Sequence, residues 1–354
     1  MPGYEARRLC PQGVFLPSDI AKYGSVSAQI HGVFAEFTPD IEPLALDEAF
    51  LDITRSVGLF GGPVALGRQL KQRVREETGL VISVGIAPNK LVAKIACSLG
   101  KPDGLFFCPQ ERVEALLAPL AVRRLWGVGP VLAEQLEAAG LRTLGELGHV
   151  EPSVLERLVG DRAHALIALA RGEDSREVNG TADPKSMGEE NTFETDVLAR
   201  EMIVEALRAH AQAVAARLRR ERLRGRTVTL KVKLARRLPG GLPGPHRIYP
   251  LLTRRSTLQR ATADGQRIAR AAIELWDAAG VDEPVRLLGV SVSSLEREAA
   301  AQLELFSDTS SVDRGERVGA VIDAIVAKFG TGAIAPAVRA PEKLTPSDRR
   351  KRGT

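Results

Sequence analysis

The stretch Ile41-Glu-Pro-Leu-Ala-Leu-Asp-Glu-Ala-Phe-Leu-Asp-Ile53 starts as a strand and then loses its phase. Successive side chains of a regular strand point to opposite faces. Here Leu44 and Leu46 share one parity, while Leu51 and Ile53 share the other. A slip of one residue sends every later side chain to the wrong face, so the pattern requires a bulge or a turn at Asp47–Glu48. Such a bend can bring both carboxylates to one side. Hard divalent cations such as Mg²⁺ take carboxylate oxygens and keep several waters. Two of them, about 3.5–4 Å apart, can clamp the attacking and leaving oxygens of a phosphoryl transfer. On spacing alone, an ordinary surface turn with two acids is the stronger reading of the pair.

Outward from this stretch, residues 1–110 alternate short apolar runs with helical patterns. Val64–Thr78 reads as an amphipathic helix and Leu80–Ala87 as a buried strand. Residues 111–175 read as helical throughout. Residues 176–188, polar and holding Gly180 and Pro184, read as a linker. Residues 189–297 mix strands at Thr227–Leu234 and Val285–Ser293 with helices at Arg200–Arg222 and Asp264–Ala279. Leu238–Pro245 reads as a surface loop between strands. A tail from residue 298 holds one helical segment, Arg317–Phe329, and a polar basic end, Lys343–Thr354, expected to be disordered. The fold class expected is α/β in the broad sense, an α+β multidomain chain.

A chain of 354 residues with 44% hydrophobic residues has enough core for two or three domains. The net charge of +5 is modest, but its distribution is not even. Arg217, Arg219, Arg220, Arg222, Arg224, Arg226, Lys231, Lys233, Arg236 and Arg237 are offset by one acid, Glu221. The run crosses from a helical into a strand pattern, which favours nucleic-acid contact over a solvated helix face. The three cysteines, Cys10, Cys97 and Cys108, form no CxxC pair. No signal pattern opens the chain, and no apolar run approaches the roughly 20 residues of a membrane span. A reducing cytoplasm, no membrane partner and a monomer are therefore expected.

Segment 39–54 (PDIEPLALDEAFLDIT) closely resembles the palm motif of Y-family, lesion-bypass DNA polymerases of the DinB branch. Ser83–Gly104 (SVGIAPNKLVAKIACSLGKPDG) is similar to the strand and helix that follow in that palm. Leu125–Leu147 resembles the family's thumb, and Lys185–Phe193 and Glu283–Leu295 resemble the ends of its little finger. The resemblance implies an incomplete palm at 23–110 behind a fingers remnant at 1–22. A thumb with a helix-hairpin-helix follows at 111–175, then the linker 176–188, a little finger at 189–297 and a tail at 298–354. It further implies template-directed, Mg²⁺-dependent transfer of deoxynucleotides to a primer 3′ end, with two metal ions. Asp47 would bind metal, and Glu48 would bind metal and support deprotonation of the 3′-hydroxyl. Lys101 would neutralise triphosphate charge. Primer–template DNA and deoxynucleoside triphosphates are the implied partners.

Two departures stand out. The family has serine where this chain has Ala45, and no Asp-x-Asp-x-Phe-Phe-like segment precedes Asp47. Tyr4-Glu-Ala-Arg7 spells the family's phosphate-contact string, yet Met1–Pro11 matches a later helix, so neither Tyr4 nor Arg7 is given that role. A start assigned at an internal methionine and a shortened gene both account for this. The chain as given is expected to bind primer–template DNA without extending it. A non-catalytic adaptor that binds DNA and clamp is the alternative function.

DNA contacts are expected at Gly127 and Gly129 of Leu125-Trp-Gly-Val-Gly-Pro130, where glycines allow a sharp turn and helix-terminal amides meet a backbone phosphate. Arg236, Arg237, Arg254 and Arg255 are expected to grip backbones further along. Only 4% of residues are aromatic, which disfavours base stacking and favours salt-sensitive phosphate contact. In the tail, Gln302-Leu-Glu-Leu-Phe306 resembles the peptide by which bacterial polymerases bind the sliding clamp. Leu303, Leu305 and Phe306 would be its apolar anchors and Gln302 its directed hydrogen bond.

Overall fold

The computed structural model describes residues 3–180, 183–236, 249–297, 309–330 and 333–334. They form two compact units: Ser18–Ala182, and Asp183–Thr354 together with Met1–Pro17. The segments Leu238–Pro245, Gln302–Phe306 and Lys343–Thr354, and Arg237, lie outside the described residues.

The chain opens on α1 (Gly3–Leu9), in the second unit, where the Arg7 guanidinium lies 4.4 Å from the centre of the Phe15 ring. The first unit begins with α2 (Ile20–Ala35), β1 (Ile41–Ala45) and β2 (Glu48–Leu51). It continues through α3 (Pro63–Thr78), β3 (Val84–Ile86), α4 (Lys90–Gly100) and β4 (Leu105–Phe107). Helix α3 forms where expected. Pro63 occupies its first turn, Gly79 ends it in the left-handed conformation, and Leu66, Leu70 and Val74 make one buried stripe against Val33 and Phe37. β1 and β2 pair antiparallel and β3 and β4 pair parallel, as separate two-stranded sheets.

The expected strand Leu80–Ala87 is only Val84–Ile86, and Leu80 and Val81 are 48% and 55% exposed. The reason is pairing: β3 meets only the three residues Leu105–Phe107, so Leu80–Ser83 have no ladder partner in that sheet.

Helices α5 (Val113–Leu117), α6 (Pro130–Ala138), α7 (Leu144–His149), α8 (Pro152–Val159) and α9 (Ala163–Ala170) fill the helical stretch. They do not form a core of their own. Leu117, Leu125, Leu136, Leu144 and Leu155 share one cluster with Leu91, Val92 and Ile95 of α4. The expected linker is also partly tied down within this unit. The Glu177 carbonyl accepts from Lys90, and the Asn179 amide donates to Glu42.

The second unit continues with β5 (Ser186–Val197), α10 (Arg200–Arg220), β6 (Leu223–Leu234), β7 (Leu251–Thr262), α11 (Gly265–Ala279), β8 (Val285–Arg297) and α12 (Thr309–Phe329). The four strands form one antiparallel sheet in the order β5-β8-β6-β7. One face is covered: Ile203, Leu207, Val214 and Leu218 of α10 and Ile268, Ala272 and Trp276 of α11 share a core with Val228, Leu230, Val232, Leu288, Val290 and Val292. Helix α12 begins earlier than expected and packs onto this unit. Glu316 pairs with Arg224 at 2.7 Å and accepts from the Ala263 amide at 3.0 Å, and Asp323 takes a two-point bond from Arg219. No helix among the described residues is long and apolar enough to cross a membrane.

Candidate active site and nucleic-acid interface

The parity slip proves to be a tight hairpin. β1 and β2 are joined through Leu46 and Asp47, Ala45 sits opposite Glu48, and the register shifts between Pro43 and Ala45. The bend thus comes one residue before its expected place, with an irregularity in β1 as well. Leu44 and Leu46 are exposed, Phe50 is buried, and Asp47 and Glu48 are both exposed at the tip.

Helix α4 faces this hairpin. Its N-cap, Asn89, accepts from the Val92 amide at 3.1 Å. Gly85 lets β3 press onto it, since a Cβ there would lie 2.2 Å from the Ala93 carbonyl oxygen and from the Cys97 nitrogen. Lys94 reaches Glu48 with Nζ–Oε2 2.9 Å. Cys97 and Lys101 follow Lys94 at three and seven residues, the spacing of one helix face. Burial pushes the Cys97 thiol up; the positive charges of Lys101 and Lys94 oppose this and the negative charge of Glu48 adds to it. Lys94, Lys101 and Glu48 therefore lie within electrostatic reach of one sulfur atom. Lys101 itself is exposed, just past the end of α4.

The hairpin is braced from below. Lys90, one turn before Lys94, donates to both Glu42 oxygens at 3.0 and 2.7 Å and to the Glu177 carbonyl at 2.8 Å. Burial alone would raise the Glu42 carboxyl, but its bonds from Lys90 and the Asn179 amide outweigh that and hold it below the usual carboxylate value. Phe50 packs against Trp126 with ring centres 5.7 Å apart. Trp126 also lies beneath the Arg176 guanidinium at 4.4 Å. The β1–β2 hairpin and the start of the Gly127–Gly129 turn are thus in contact. No group of three or more His, Cys, Asp or Glu side chains converges on a metal position among the described residues.

The two expected glycines do different jobs. Gly127 takes φ +99°, which only glycine adopts without strain, whereas Gly129 is the extended N-cap of α6. A Cβ at either would meet nothing within 4 Å, so the space above the turn is open. The following α7 carries a capping box between Thr143 and Glu146.

In the second unit the uncovered sheet face was not anticipated. Register alignment places Ser186, Ser293, Thr227 and Thr257 in one cross-strand row and Gly188, Ser291, Thr229 and Arg255 in the next. Glu190, Gly289, Lys231 and Thr253 form a third. Small hydroxyl residues, glycine, the Lys231–Glu190 pair and Arg255 make up this face. The sequence signal was the alternation of Thr227, Thr229, Lys231 and Lys233 with Val228, Leu230 and Val232. Arg254 and Arg255 stand exposed on the edge strand β7, and Arg254 donates only to the neighbouring Thr253 carbonyl among the described residues. Arg236 instead pairs with Glu283 at 2.8 Å.

The basic run reads differently once folded. Arg217 pairs with Glu189, Arg219 with Asp323, Arg224 with Glu316 and Lys231 with Glu190. Much of it is neutralised by acids distant in sequence, so the run as a whole is no free cationic patch.

Matches to known proteins follow this layout. Residues 1–98 match the impB/mucB/samB family, 110–141 the HHH motif of that family, and 184–305 its C-terminal domain. DNA polymerase IV of Desulfatibacillum aliphaticivorans is 37% identical over 339 residues, covering 95% of this chain and 83% of the relative. DNA polymerase IV of Alkalilimnicola ehrlichii is 40% identical over 309 residues, covering 86% and 84%. Among solved structures, a Y-family DNA polymerase chimera, Dbh-Dpo4(243-245)-Dbh, aligns with TM-score 0.72 at 23% identity over 84% of this chain and 83% of that one. At that identity the structural likeness speaks for the fold alone. The sequence relatives are polymerases by name, which sets the adaptor alternative aside. The chain belongs to the impB/mucB/samB family of Y-family translesion DNA polymerases, in its DNA polymerase IV branch.

Proposed function

We propose that Asp47 and Glu48 are the metal-binding carboxylates of a template-directed nucleotidyl transfer, with Glu48 also serving the primer 3′-hydroxyl. The observation that carries this is their placement: two exposed carboxylates at one hairpin tip, facing a helix that presents Lys94 and ends beside Lys101. Hard oxygen donors of this kind fit Mg²⁺, which takes one or two carboxylates and completes its shell with water and substrate phosphates. Two such ions supply charge neutralisation at the attacking and leaving oxygens. Asp47 and Glu48 hold that charge in place. Glu48 stands ready to accept the hydroxyl proton, directly or through water. Lys101 meets the triphosphate as a point charge. The α-phosphate passes to the primer 3′-oxygen, and pyrophosphate leaves.

DNA lies against two surfaces in this reading. Gly127 and Gly129 leave room for a backbone phosphate at the start of α6, and the hydroxyl-rich sheet face with Arg255, together with Arg254 exposed on the edge strand β7, follows a backbone without reading bases. Residues 23–110 then act as palm, 111–175 as thumb and 189–297 as little finger. Gln302, Leu303, Leu305 and Phe306, outside the described residues, serve as the sliding-clamp peptide; two leucines and a phenylalanine in a polar setting support that role.

The test uses the chain on primer–template DNA. Mg²⁺-dependent binding of the incoming nucleotide to the chain–DNA complex should fall at least about tenfold in Asp47→Ala and Glu48→Ala. Retention of that binding in either variant removes that carboxylate from the site.

A further inference from the structure

Two lysines one turn apart on α4 pair with two glutamates of the same hairpin, and their surroundings differ. Lys90 is fixed: its side chain is 9% exposed and is held by both oxygens of Glu42 and by the Glu177 carbonyl. Lys94 is 30% exposed, its partner Glu48 is 44% exposed, and their contact is a single 2.9 Å bond. The Lys94 ammonium also lies 5.7 Å from the centre of the Trp126 ring, within cation–π range. Lys94 therefore has a second place to rest if Glu48 is taken from it, whereas Lys90, also beside an aromatic ring, is buried and tied to the Glu177 carbonyl as well.

We propose that Lys94 is a positioning residue for Glu48. In the metal-free chain its ammonium holds the carboxylate, and a divalent cation binding at Asp47–Glu48 displaces it toward Trp126. The inference rests on the metal-site reading given above. Four physical points carry it. A lone carboxylate at an exposed hairpin tip samples many rotamers, and an ion pair to a rigid helix restricts them. The backbone of α4 is rigid there, because Leu91, Val92, Ile95 and Ala96 are buried. An ammonium and a divalent cation at the same carboxylate repel each other, so they exclude one another. A pair this exposed is also weak, so a divalent ion can win the competition.

The test is Mn²⁺ binding to the free chain, followed by electron paramagnetic resonance, in a double-mutant cycle. Lys94→Met should tighten Mn²⁺ binding about two- to fivefold, the range set by a partly exposed ion pair. Lys94→Arg, which keeps the charge, should stay within about twofold of the parent. In a Glu48→Gln background, Lys94→Met should have no effect, since the carboxylate through which it acts is gone. An effect that persists in that background means that Lys94 acts as a distant charge, and the proposal fails. Weaker Mn²⁺ binding in Lys94→Met also overturns it, because Lys94 would then support the metal site rather than compete for it. Mn²⁺ binding that survives both Asp47→Ala and Glu48→Gln overturns the metal-site reading itself, and the proposal with it. Thermal unfolding of each variant separates these results from loss of fold.

Discussion

Replacing Glu42 by glutamine tests whether the brace under the β1–β2 hairpin has the strength its geometry implies. Glu42 and Lys90 form a pair whose side chains are 18% and 9% exposed, with Nζ–Oε2 2.7 Å. Removing one partner of a buried pair costs about 3–5 kcal/mol, mostly because the other charge stays buried without its counter-ion. Lys90 keeps the Glu177 carbonyl and lies 5.5 Å from the Phe50 ring centre, which places the loss near the lower end, about 3 kcal/mol. For a unit of this size that corresponds to a fall in Tm of roughly 6–12 °C. The double variant Lys90→Met/Glu42→Leu leaves no stranded charge and should recover most of the loss.

The assay can isolate the unit concerned. Trp126 lies in the unit Ser18–Ala182 and Trp276 in the other, so a Trp276→Phe background reports the first unit by fluorescence during urea or thermal unfolding. The pH dependence adds a second check. The folded carboxyl of Glu42 is held below its unfolded value. Its contribution is therefore complete above the unfolded carboxylate range and is lost as pH falls through the folded value, and Glu42→Gln should flatten that part of the acid limb. A Tm shift under about 2 °C, or a double variant no more stable than the single one, would refute the reasoning.

Arg255→Ala should weaken binding to primer–template DNA of any sequence and lower the magnitude of the salt slope by about one, as loss of one phosphate contact requires; a sequence-dependent loss would argue for base reading instead. His210 is buried beside Asn191, with Nε2–Oδ1 2.8 Å, and burial pushes its imidazole below the usual value despite the charge of Glu189. The unfolded chain therefore takes up that proton first. The second unit should lose stability as pH falls below about 6.5, and His210→Gln should remove that slope in Trp276 fluorescence. Leu305→Ala/Phe306→Ala should abolish pull-down of the bacterial sliding clamp and leave DNA affinity unchanged; unaltered pull-down removes the segment from that role.

The parts of this fold that were legible in the sequence are those with local causes. The parity slip from Leu44–Leu46 to Leu51–Ile53 required a bend near Asp47, and a hairpin stands there. Pro63 and Gly79 bound α3, and Asp264 caps α11, because caps act within one turn. What was missed depends on partners far along the chain. Leu80 and Val81 look like strand residues, but whether they pair is decided near Leu105. The helical stretch looked self-contained, yet its core includes Leu91 and Val92. Lys94 carried no signal of its own beyond standing seven residues before Lys101, and its importance comes from Glu48, 46 residues away.

The basic run shows why charge is harder to read than apolar pattern. Periodicity records which face of an element is buried, and the element itself carries that record. A cation's availability depends instead on which acid the fold brings to it. For Arg217 and Lys231 those acids are Glu189 and Glu190 on β5, and for Arg219 and Arg224 they are Asp323 and Glu316 on α12. Arg255, in a less conspicuous stretch, stands exposed on an edge strand beside rows of serine and threonine. A cation already paired must give up its partner before it can neutralise a phosphate, while an exposed one need only release water. Within the densest cluster of arginines, Arg219 and Arg224 thus tie α10 and β6 to α12, while Arg255 on β7 stays open to solvent.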